Sequence, residues 1–220
     1  MHLVLSDVVA PALAAALSEA LDDPTLYADG RASAGRAART VKHNQQARAH
    51  GRVAQALDHV AKALAAHEVY QAAARPKAVV KMLVSRYEPG MAYGWHVDEP
   101  IMAGQRTDMS FTVFLSDPAT YAGGDLVLDM AGEDVAYRLP AGSALLYPTG
   151  ALHQVMPVTR GVRIAVVGWV RSLIRRADQR EMLFDLAVAA RSVYAREGKS
   201  ATYDRLAKTK ANLIRLWAED

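Results

Sequence analysis

Two histidines and one aspartate carry the clearest chemical signal in the sequence. His96 and Asp98 are separated by one residue and follow a β-type run. In an extended chain, residues i and i+2 point to the same side, so the imidazole and the carboxylate should converge. His153 follows a later strand signal and a turn. Two histidines and a carboxylate leave three adjacent positions open on a non-haem Fe(II) ion, although this spacing also occurs by chance in exposed loops.

Arg163 is the second chemical signal, because it interrupts an apolar strand. It lies in the run VRIAVV at residues 162–167, which is apolar on both faces. A buried guanidinium is costly unless it meets a carboxylate or a phosphate, and its planar fork suits a bidentate contact with a carboxylate. We therefore weigh two interpretations equally. Arg163 binds an anionic ligand, or it pairs with a structural acid at the end of its strand.

Short strands are the elements that must position these residues. Runs rich in Val, Leu, Phe and Tyr recur between residues 78 and 172, with turn signals such as EPG at 88–90 and DP at 117–118 between them. The predicted strands are residues 79–84, 110–115, 125–129, 135–139, 143–147 and 162–170. Many short strands at this spacing are typical of a sandwich, barrel or jelly roll rather than of alternating βα units.

Helical periodicity flanks this β region on both sides. On the N-terminal side, apolar residues repeat with helical spacing at Leu13, Leu17 and Leu21, and at Val53, Leu57, Val60 and Leu64. Residues 29–46 have no period and predict a long loop, which in a compact domain is often functional. Two C-terminal helices are expected around 183–193 and 206–217, with a break at 197–200. We divide the chain into N-terminal helices and a loop (1–77), a β core (78–172) and a helical extension (173–220).

Composition excludes several classes of protein. The 220 residues are 51% hydrophobic and carry a net charge of +3, which excludes a mainly disordered chain. The absence of cysteine excludes disulfides and thiolate metal sites. We expect no membrane span and no secretory signal, and hence a cytoplasmic protein. Residues 31–52 carry six Lys or Arg and no acid, but they lack interleaved aromatics, so we do not expect a nucleic-acid partner.

An ordered set of motifs resembles the PKHD-type hydroxylases, bacterial members of the prolyl-4-hydroxylase-like Fe(II)/2-oxoglutarate dioxygenases. The central motif is RYEPGMAYGWHVD at residues 86–98. Further similar runs lie at residues 106–110, 114–118, 121–126, 146–148, 152–155 and 157–163. The resemblance extends upstream to residues 41–46, where His43 replaces a more usual Asn, and downstream to 179–186 and 212–217. It therefore covers essentially the whole chain.

The resemblance implies both a fold and a site. The implied fold is α+β, with a double-stranded β-helix (jelly roll) core, N-terminal bracing helices and a C-terminal helical extension. The implied iron ligands are His96, Asp98 and His153. Arg163 is implied as the partner of the C5 carboxylate of 2-oxoglutarate, and Tyr87 and Thr112 are expected to help hold this cosubstrate. The expected cofactors are Fe(II) and 2-oxoglutarate, with L-ascorbate as an optional addition.

The predicted function is Fe(II)- and 2-oxoglutarate-dependent hydroxylation with release of succinate and CO2. The substrate is a peptide or a small metabolite, which could be siderophore-like, and it reacts together with O2. Two alternatives stay open. The chain could be a jelly-roll sensor that binds metal or 2-oxoglutarate without turnover, although the intact ligand set argues against this. It could also be a nucleic-acid demethylase acting through the basic residues 31–52. The C-terminal stripes fit a homodimer interface as well as packing onto the core.

Overall fold

Helices lie on either side of a β core in the computed structural model, which describes residues 1–219. The strands are β1 (Leu3–Leu5), β2 (Tyr27–Asp29), β3 (Lys42–His43), β4 (Gln45–Ala47), β5 (Pro76–Tyr87), β6 (Ala92–His96), β7 (Ile101–Met102), β8 (Gln105–Arg106), β9 (Met109–Phe114), β10 (Ala122–Gly123), β11 (Leu126–Asp129), β12 (Asp134–Tyr137), β13 (Ala144–Pro148), β14 (His153–Val155), β15 (Val158–Arg160) and β16 (Arg163–Ser172). The helices are α1 (Pro11–Ala20), α2 (Arg36–Thr40), α3 (Gly51–Ala66), α4 (Glu68–Ala74), α5 (Ala177–Glu197) and α6 (Ala201–Trp217), with 3-10 turns at Pro24–Leu26 and Gly30–Ser33.

Two antiparallel sheets form the centre of the fold. The larger sheet has the strand order β1-β13-β9-β16-β5-β4-β2, and the smaller has the order β12-β11-β14-β6-β3. Their inner faces meet in one apolar cluster, to which the larger sheet contributes Phe114 and Tyr147 and the smaller sheet contributes Leu128 and Val155. Two facing antiparallel sheets in this order make the jelly roll, or double-stranded β-helix. The predicted fold class is therefore confirmed.

Strand β9 shows how the sequence builds two faces from one strand. Every residue of β9 is buried, but successive side chains point to opposite faces of the sheet. Phe111 and Val113 join a large apolar cluster with helices α1, α3 and α4, while Phe114 faces the smaller sheet. Ser110 and Thr112 lie on the same face as Phe114 and bring hydroxyl groups to the interior. The helices thus cover the outer face of the larger sheet and leave its inner face free for a site.

The N-terminal part of the chain differs from the sequence-based expectation of helices and a long loop. Strands β1 to β4 extend the two sheets, and the predicted loop contains a 3-10 turn, helix α2 and strands β3 and β4. In β3, Lys42 lies opposite Tyr93 of β6, and in β4, Gln45 lies opposite Arg86 of β5. The segment supplies hydrogen-bond partners to the edges of β5 and β6, which would otherwise be open. It therefore lies directly beside two strands that carry predicted site residues.

The two predicted C-terminal helices are present as α5 and α6, and they pack against each other as a hairpin. The break between them falls at Gly198, whose φ of 64° is one that glycine adopts readily. Helix α5 packs against α4 and α6, with Leu183 and Ala190 buried. The end of the hairpin is tied to the core, because the Glu219 backbone N–H donates to the Leu173 carbonyl at 2.9 Å. Among residues 1–219, no helix has the length and apolar character needed to cross a bilayer.

Candidate active site

The two sheet strands β6 and β14 bring the predicted metal ligands together. His96 at the end of β6 lies opposite His153 at the start of β14, and Asp98 follows two residues after His96. Asp98 Oδ1 is 3.9 Å from His96 Nε2, and Asp98 Oδ2 is 3.8 Å from His153 Nε2. One ligand atom from each residue lies within 4.8 Å of the other two. The side chains therefore converge from three directions, as the sequence predicted.

Hydrogen bonds fix the orientation of both imidazoles. His96 Nδ1 is 2.8 Å from the Gly94 carbonyl oxygen, and His153 Nδ1 is 2.9 Å from the Ala151 carbonyl oxygen. A carbonyl only accepts, so each Nδ1 carries the proton and each Nε2 presents its lone pair to the centre. This is the arrangement in which metal-binding histidines are commonly held.

The carboxylate is oriented as well. Ser110 on β9 donates its hydroxyl proton to Asp98 Oδ2 at 2.8 Å, and Thr149 lies 3.2 Å from the same hydroxyl. Ser110 and Thr149 are both buried, and the Asp98 side chain is 8% exposed. The sequence does not identify this partner, because Ser110 becomes a neighbour of Asp98 only when β9 and β6 belong to facing sheets.

Burial and charge favour the form of His96 that can bind a metal. Burial, reinforced by the nearby His153, lowers the pKa of His96 to about 4, so its imidazole is neutral at neutral pH. Tyr93 stacks on the His96 ring with a centroid distance of 3.5 Å. Two imidazoles whose Nε2 atoms face the centre and one carboxylate fit Fe(II) with an open face.

Arg163 occupies the other end of the site and has no acid to pair with. It lies opposite Tyr87 at the start of β16 and is 1% exposed. Its Nε and Nη2 have no hydrogen-bond partner among residues 1–219, and no carboxylate within that range lies within 4.0 Å. The guanidinium is 5.4 Å from the Tyr87 ring centroid and 5.2 Å from that of Phe114. A buried cation with free donors fits a ligand carboxylate, whereas the alternative of a structural acid partner has no support in this geometry.

Gly124 keeps the space that Arg163 occupies. It has a φ of 68°, and a Cβ atom on it would lie 2.9 Å from Arg163 Cδ and 2.9 Å from Val158 Cγ2. Only glycine combines this backbone conformation with so close a contact. Gly124 thus forms part of the wall against which the arginine is held.

One cavity joins the metal-binding cluster to Arg163. The six residues that the sequence analysis selected all line it: Tyr87, His96, Asp98, Thr112, His153 and Arg163. Burial raises the pKa of Tyr147, which also lines the cavity, well above its ordinary value, and Asp98 adds to the shift, so this phenol stays protonated. Two further lining features were not predicted. Lys42 comes from β3, and a segment that we call the roof also lines the cavity, through Ser33, Ala34, Gly35 and Ala38.

Comparison with known proteins agrees with this geometry. Residues 82–171 match the 2OG-Fe(II) oxygenase superfamily, and residues 178–219 match the PKHD-type hydroxylase C-terminal domain. Among solved structures, the chain is similar to a prolyl-4-hydroxylase of Pseudomonas putida, with a TM-score of 0.61 and 19% identity over 78% of this chain and 92% of that one. A viral collagen prolyl hydroxylase from Paramecium bursaria Chlorella virus-1, solved as a 2OG complex, gives a TM-score of 0.56 and 16% identity over 78% and 96%. These similarities show the fold.

The superfamily match and the site define an Fe(II)- and 2-oxoglutarate-dependent oxygenase. Closer relatives narrow the assignment. The chain is 54% identical to a PKHD-type hydroxylase of Maricaulis maris over 194 residues, covering 88% of this chain and 89% of that one. It is 49% identical to a PKHD-type hydroxylase of Picosynechococcus over the same shares. The chain belongs to the PKHD-type hydroxylase family.

Proposed function

We propose that this hydroxylase binds Fe(II) through His96, Asp98 and His153, and binds the C5 carboxylate of 2-oxoglutarate through Arg163. The single observation that carries the proposal is one cavity with a converging metal-ligand cluster at one end and an unpaired, buried guanidinium at the other. When bound, Fe(II) and 2-oxoglutarate supply the oxidising power, because O2 converts 2-oxoglutarate to succinate and CO2 while the substrate gains a hydroxyl group.

The protein residues contribute position and electrostatics. Gly94 and Ala151 hold the two imidazoles through their carbonyls, and Ser110 holds the carboxylate, so the three donor atoms need little rearrangement on binding. The Nδ1 protons stay on the histidines throughout, since each is engaged by a carbonyl. The site is thus organised before any ligand arrives.

The walls of the cavity serve the cosubstrate. The aromatic rings of Tyr87 and Phe114 exclude water from around Arg163, which strengthens its attraction for a carboxylate. The hydroxyl groups of Tyr87 and Thr112 line the same cavity and are the proposed further contacts with 2-oxoglutarate. Both side chains are buried, so neither hydroxyl group has ready access to bulk water.

The substrate, the location, the oligomeric state and the division of the chain are further parts of the proposal. The substrate is a peptide or a small metabolite, and the cytoplasmic location, a homodimer and a role for L-ascorbate all stay predictions. We also retain the division at residues 1–77, 78–172 and 173–220, which the separate matches of residues 82–171 and 178–219 support.

The proposal is tested by measuring succinate. Purified protein is incubated with Fe(II), 2-oxoglutarate and O2, and succinate is quantified with and without candidate peptides and metabolites. We expect slow succinate formation by the wild type, acceleration by the correct substrate, and background levels for His153→Ala. The matched control is His59→Ala, because His59 is exposed on α3 and outside the cavity. A wild type that binds Fe(II) and 2-oxoglutarate but never forms succinate would favour the sensor instead.

A further inference from the structure

Lys42 is a buried cation in the same cavity that none of the chemistry above uses. It comes from β3, which pairs with β6, and it is 6% exposed. Its ammonium group lies 4.8 Å from the centroid of the Tyr93 ring, and Tyr93 in turn stacks on His96. This places the charge one aromatic ring away from the metal-binding cluster. Lys42 is therefore close to the centre but is not part of its ligand set.

The ammonium group has unused hydrogen-bonding capacity. Lys42 Nζ donates to Ser33 Oγ at 3.0 Å, which is its only hydrogen-bond partner among residues 1–219. No carboxylate in that part of the chain lies within 4.0 Å of Nζ. An ammonium has three donors, so two of them have no partner from the protein. A single hydroxyl contact and one aromatic ring do not replace the hydration that a buried charge loses.

The electrostatic surroundings of Lys42 also compensate its charge incompletely. Burial lowers the pKa of Lys42 to about 8, an effect that Asp98 and Asp29 oppose and Lys81 reinforces. Asp98 exerts the largest opposing charge effect on Lys42, and a metal ion at the cluster would engage it. Lysine would then face the cavity without its compensating charge.

A count of charges in the loaded site gives a positive excess. Fe(II) and the two buried cations Lys42 and Arg163 outweigh Asp98 and a dianionic 2-oxoglutarate by one unit. At the rim, the exposed charges of Lys81 and Glu99 have opposite signs and largely cancel. An anionic group on the incoming substrate would neutralise the remainder, and a cationic one would be repelled.

Lys42 and Arg163 occupy different surroundings. Arg163 is packed between the rings of Tyr87 and Phe114, whereas Lys42 lies beside Tyr93 and contacts Ser33 in the roof. The cosubstrate therefore has its own cation, and Lys42 is available for a second ligand that enters below the roof.

We propose that Lys42 is a specificity-determining residue that binds a carboxylate of the substrate, so that this hydroxylase acts on a carboxylate-bearing molecule. The inference rests on the proposed function and names the substrate class for the same site. The carboxylate belongs either to a small acid or to an acidic side chain within a peptide, and the same ammonium chemistry recognises both.

The test uses binding to protein loaded with Mn(II) and 2-oxoglutarate, in which proton relaxation of a probe reports its proximity to the metal. The probes are N-acetyl amino acids with a free carboxylate, an N-acetyl-glutamyl amide with only a side-chain carboxylate, and N-acetyl amino acid amides without charge. The first two separate the small acid from the acidic peptide. The variants are Lys42→Met, which keeps an unbranched side chain of similar volume without the charge, and Lys81→Met as the matched control at the rim.

We expect wild type to bind one carboxylate class at least about tenfold more tightly than the uncharged amides, a difference that a charge-assisted hydrogen bond supplies. Lys42→Met should abolish this preference and still bind Mn(II) and 2-oxoglutarate, while Lys81→Met should change the preference by less than about twofold. The proposal is contradicted if charged and uncharged probes bind the wild type equally well, or if no carboxylate probe binds. It is also contradicted if Lys42→Met retains the preference for carboxylates.

Two measurements separate this inference from the function on which it rests. Metal and 2-oxoglutarate affinities are determined first for each protein. A wild type that binds neither contradicts the proposed function itself. A wild type that binds Mn(II) and 2-oxoglutarate but shows no preference for carboxylate probes contradicts only the role of Lys42. The same holds if Lys42→Met loses affinity for 2-oxoglutarate rather than for the probe, because Lys42 would then contact the cosubstrate.

Discussion

Replacing Arg163 with methionine should have opposite effects on stability and on ligand binding. The guanidinium is 1% exposed, and its Nε and Nη2 have no hydrogen-bond partner within residues 1–219. In the ligand-free protein it is therefore a buried charge that the rings of Tyr87 and Phe114 compensate only in part. Methionine fills similar space without that charge, and apolar replacements of buried charges are often neutral or stabilising.

The size of both effects follows from the contacts. A cation over two aromatic rings contributes about 1–4 kcal/mol in total, and the effective penalty for burying the ion is several kcal/mol. The free energy of unfolding of ligand-free Arg163→Met should therefore be at least as high as that of the ligand-free wild type. With 2-oxoglutarate, the arginine offers two charge-assisted hydrogen bonds of about 1.5–3 kcal/mol each. Together they amount to about 3–6 kcal/mol, so their loss should weaken 2-oxoglutarate binding between about a hundredfold and about twenty-thousandfold.

The assay pairs urea unfolding of the metal-free protein with calorimetric titration of 2-oxoglutarate into the Mn(II)-loaded protein. The matched control is Arg180→Met. Arg180 is also a buried arginine, at 3% exposed, but its Nη1 donates to the carbonyls of Ile174 at 2.8 Å and Arg175 at 2.7 Å. Its loss leaves these carbonyls unpaired and should lower the free energy of unfolding by about 2–4 kcal/mol without changing 2-oxoglutarate affinity.

We thus expect Arg163→Met to weaken 2-oxoglutarate binding without loss of stability, and Arg180→Met to lower stability without loss of binding. If Arg163→Met destabilises the apo protein as much as Arg180→Met does and binds 2-oxoglutarate normally, Arg163 is a structural residue. The assignment of the cosubstrate end of the cavity would then be wrong.

Three further substitutions probe the support around the site. Ser110→Ala removes the 2.8 Å hydrogen bond to Asp98 and should lower Mn(II) affinity about 10- to 100-fold, measured by metal titration, with an unchanged urea midpoint; unaltered metal affinity would contradict its role. Gly124→Ala should displace Arg163 and weaken 2-oxoglutarate binding in the calorimetric titration. Wild-type affinity would show that neighbouring residues accommodate the added methyl group without moving Arg163. Gly168→Ala would place a Cβ 2.2 Å from Cζ of Phe111 on β9 and should lower the free energy of unfolding by about 1–3 kcal/mol. An unchanged urea midpoint would refute this.

The long core strands and the longer flanking helices were predictable because their residues follow simple periods, whereas β6, β14 and α4 were not among the predicted elements. Predicted strands 110–115, 143–147 and 162–170 correspond to β9, β13 and β16, which differ from them by one or two residues at each end. The metal-binding cluster was predictable for a related reason. Two of its members are neighbours in the sequence, and an extended backbone directs both to one side, so only His153 had to be supplied by the fold.

The N-terminal contribution could not be predicted in the same way. Strands β3 and β4 are two and three residues long, and the run KHNQQ at 42–46 has no apolar alternation. Their formation depends on the open edges of β5 and β6, which are distant in sequence. Lys42 was missed for this reason, since its burial exists only once β3 pairs with β6 and the roof closes over it. Ser110 was likewise recognisable as an inward-facing hydroxyl but not as the partner of Asp98.

The most direct measurement of the central claim is an anaerobic titration of the metal-free protein with Fe(II) and then 2-oxoglutarate. Fe(II) chelated by 2-oxoglutarate gives a visible metal-to-ligand charge-transfer band. We predict this band for wild type and for His59→Ala, its absence in His153→Ala, and a much higher 2-oxoglutarate requirement in Arg163→Met. A wild type without the band, or a His153→Ala variant with the full band, would contradict the assignment of His96, Asp98 and His153 as the iron site.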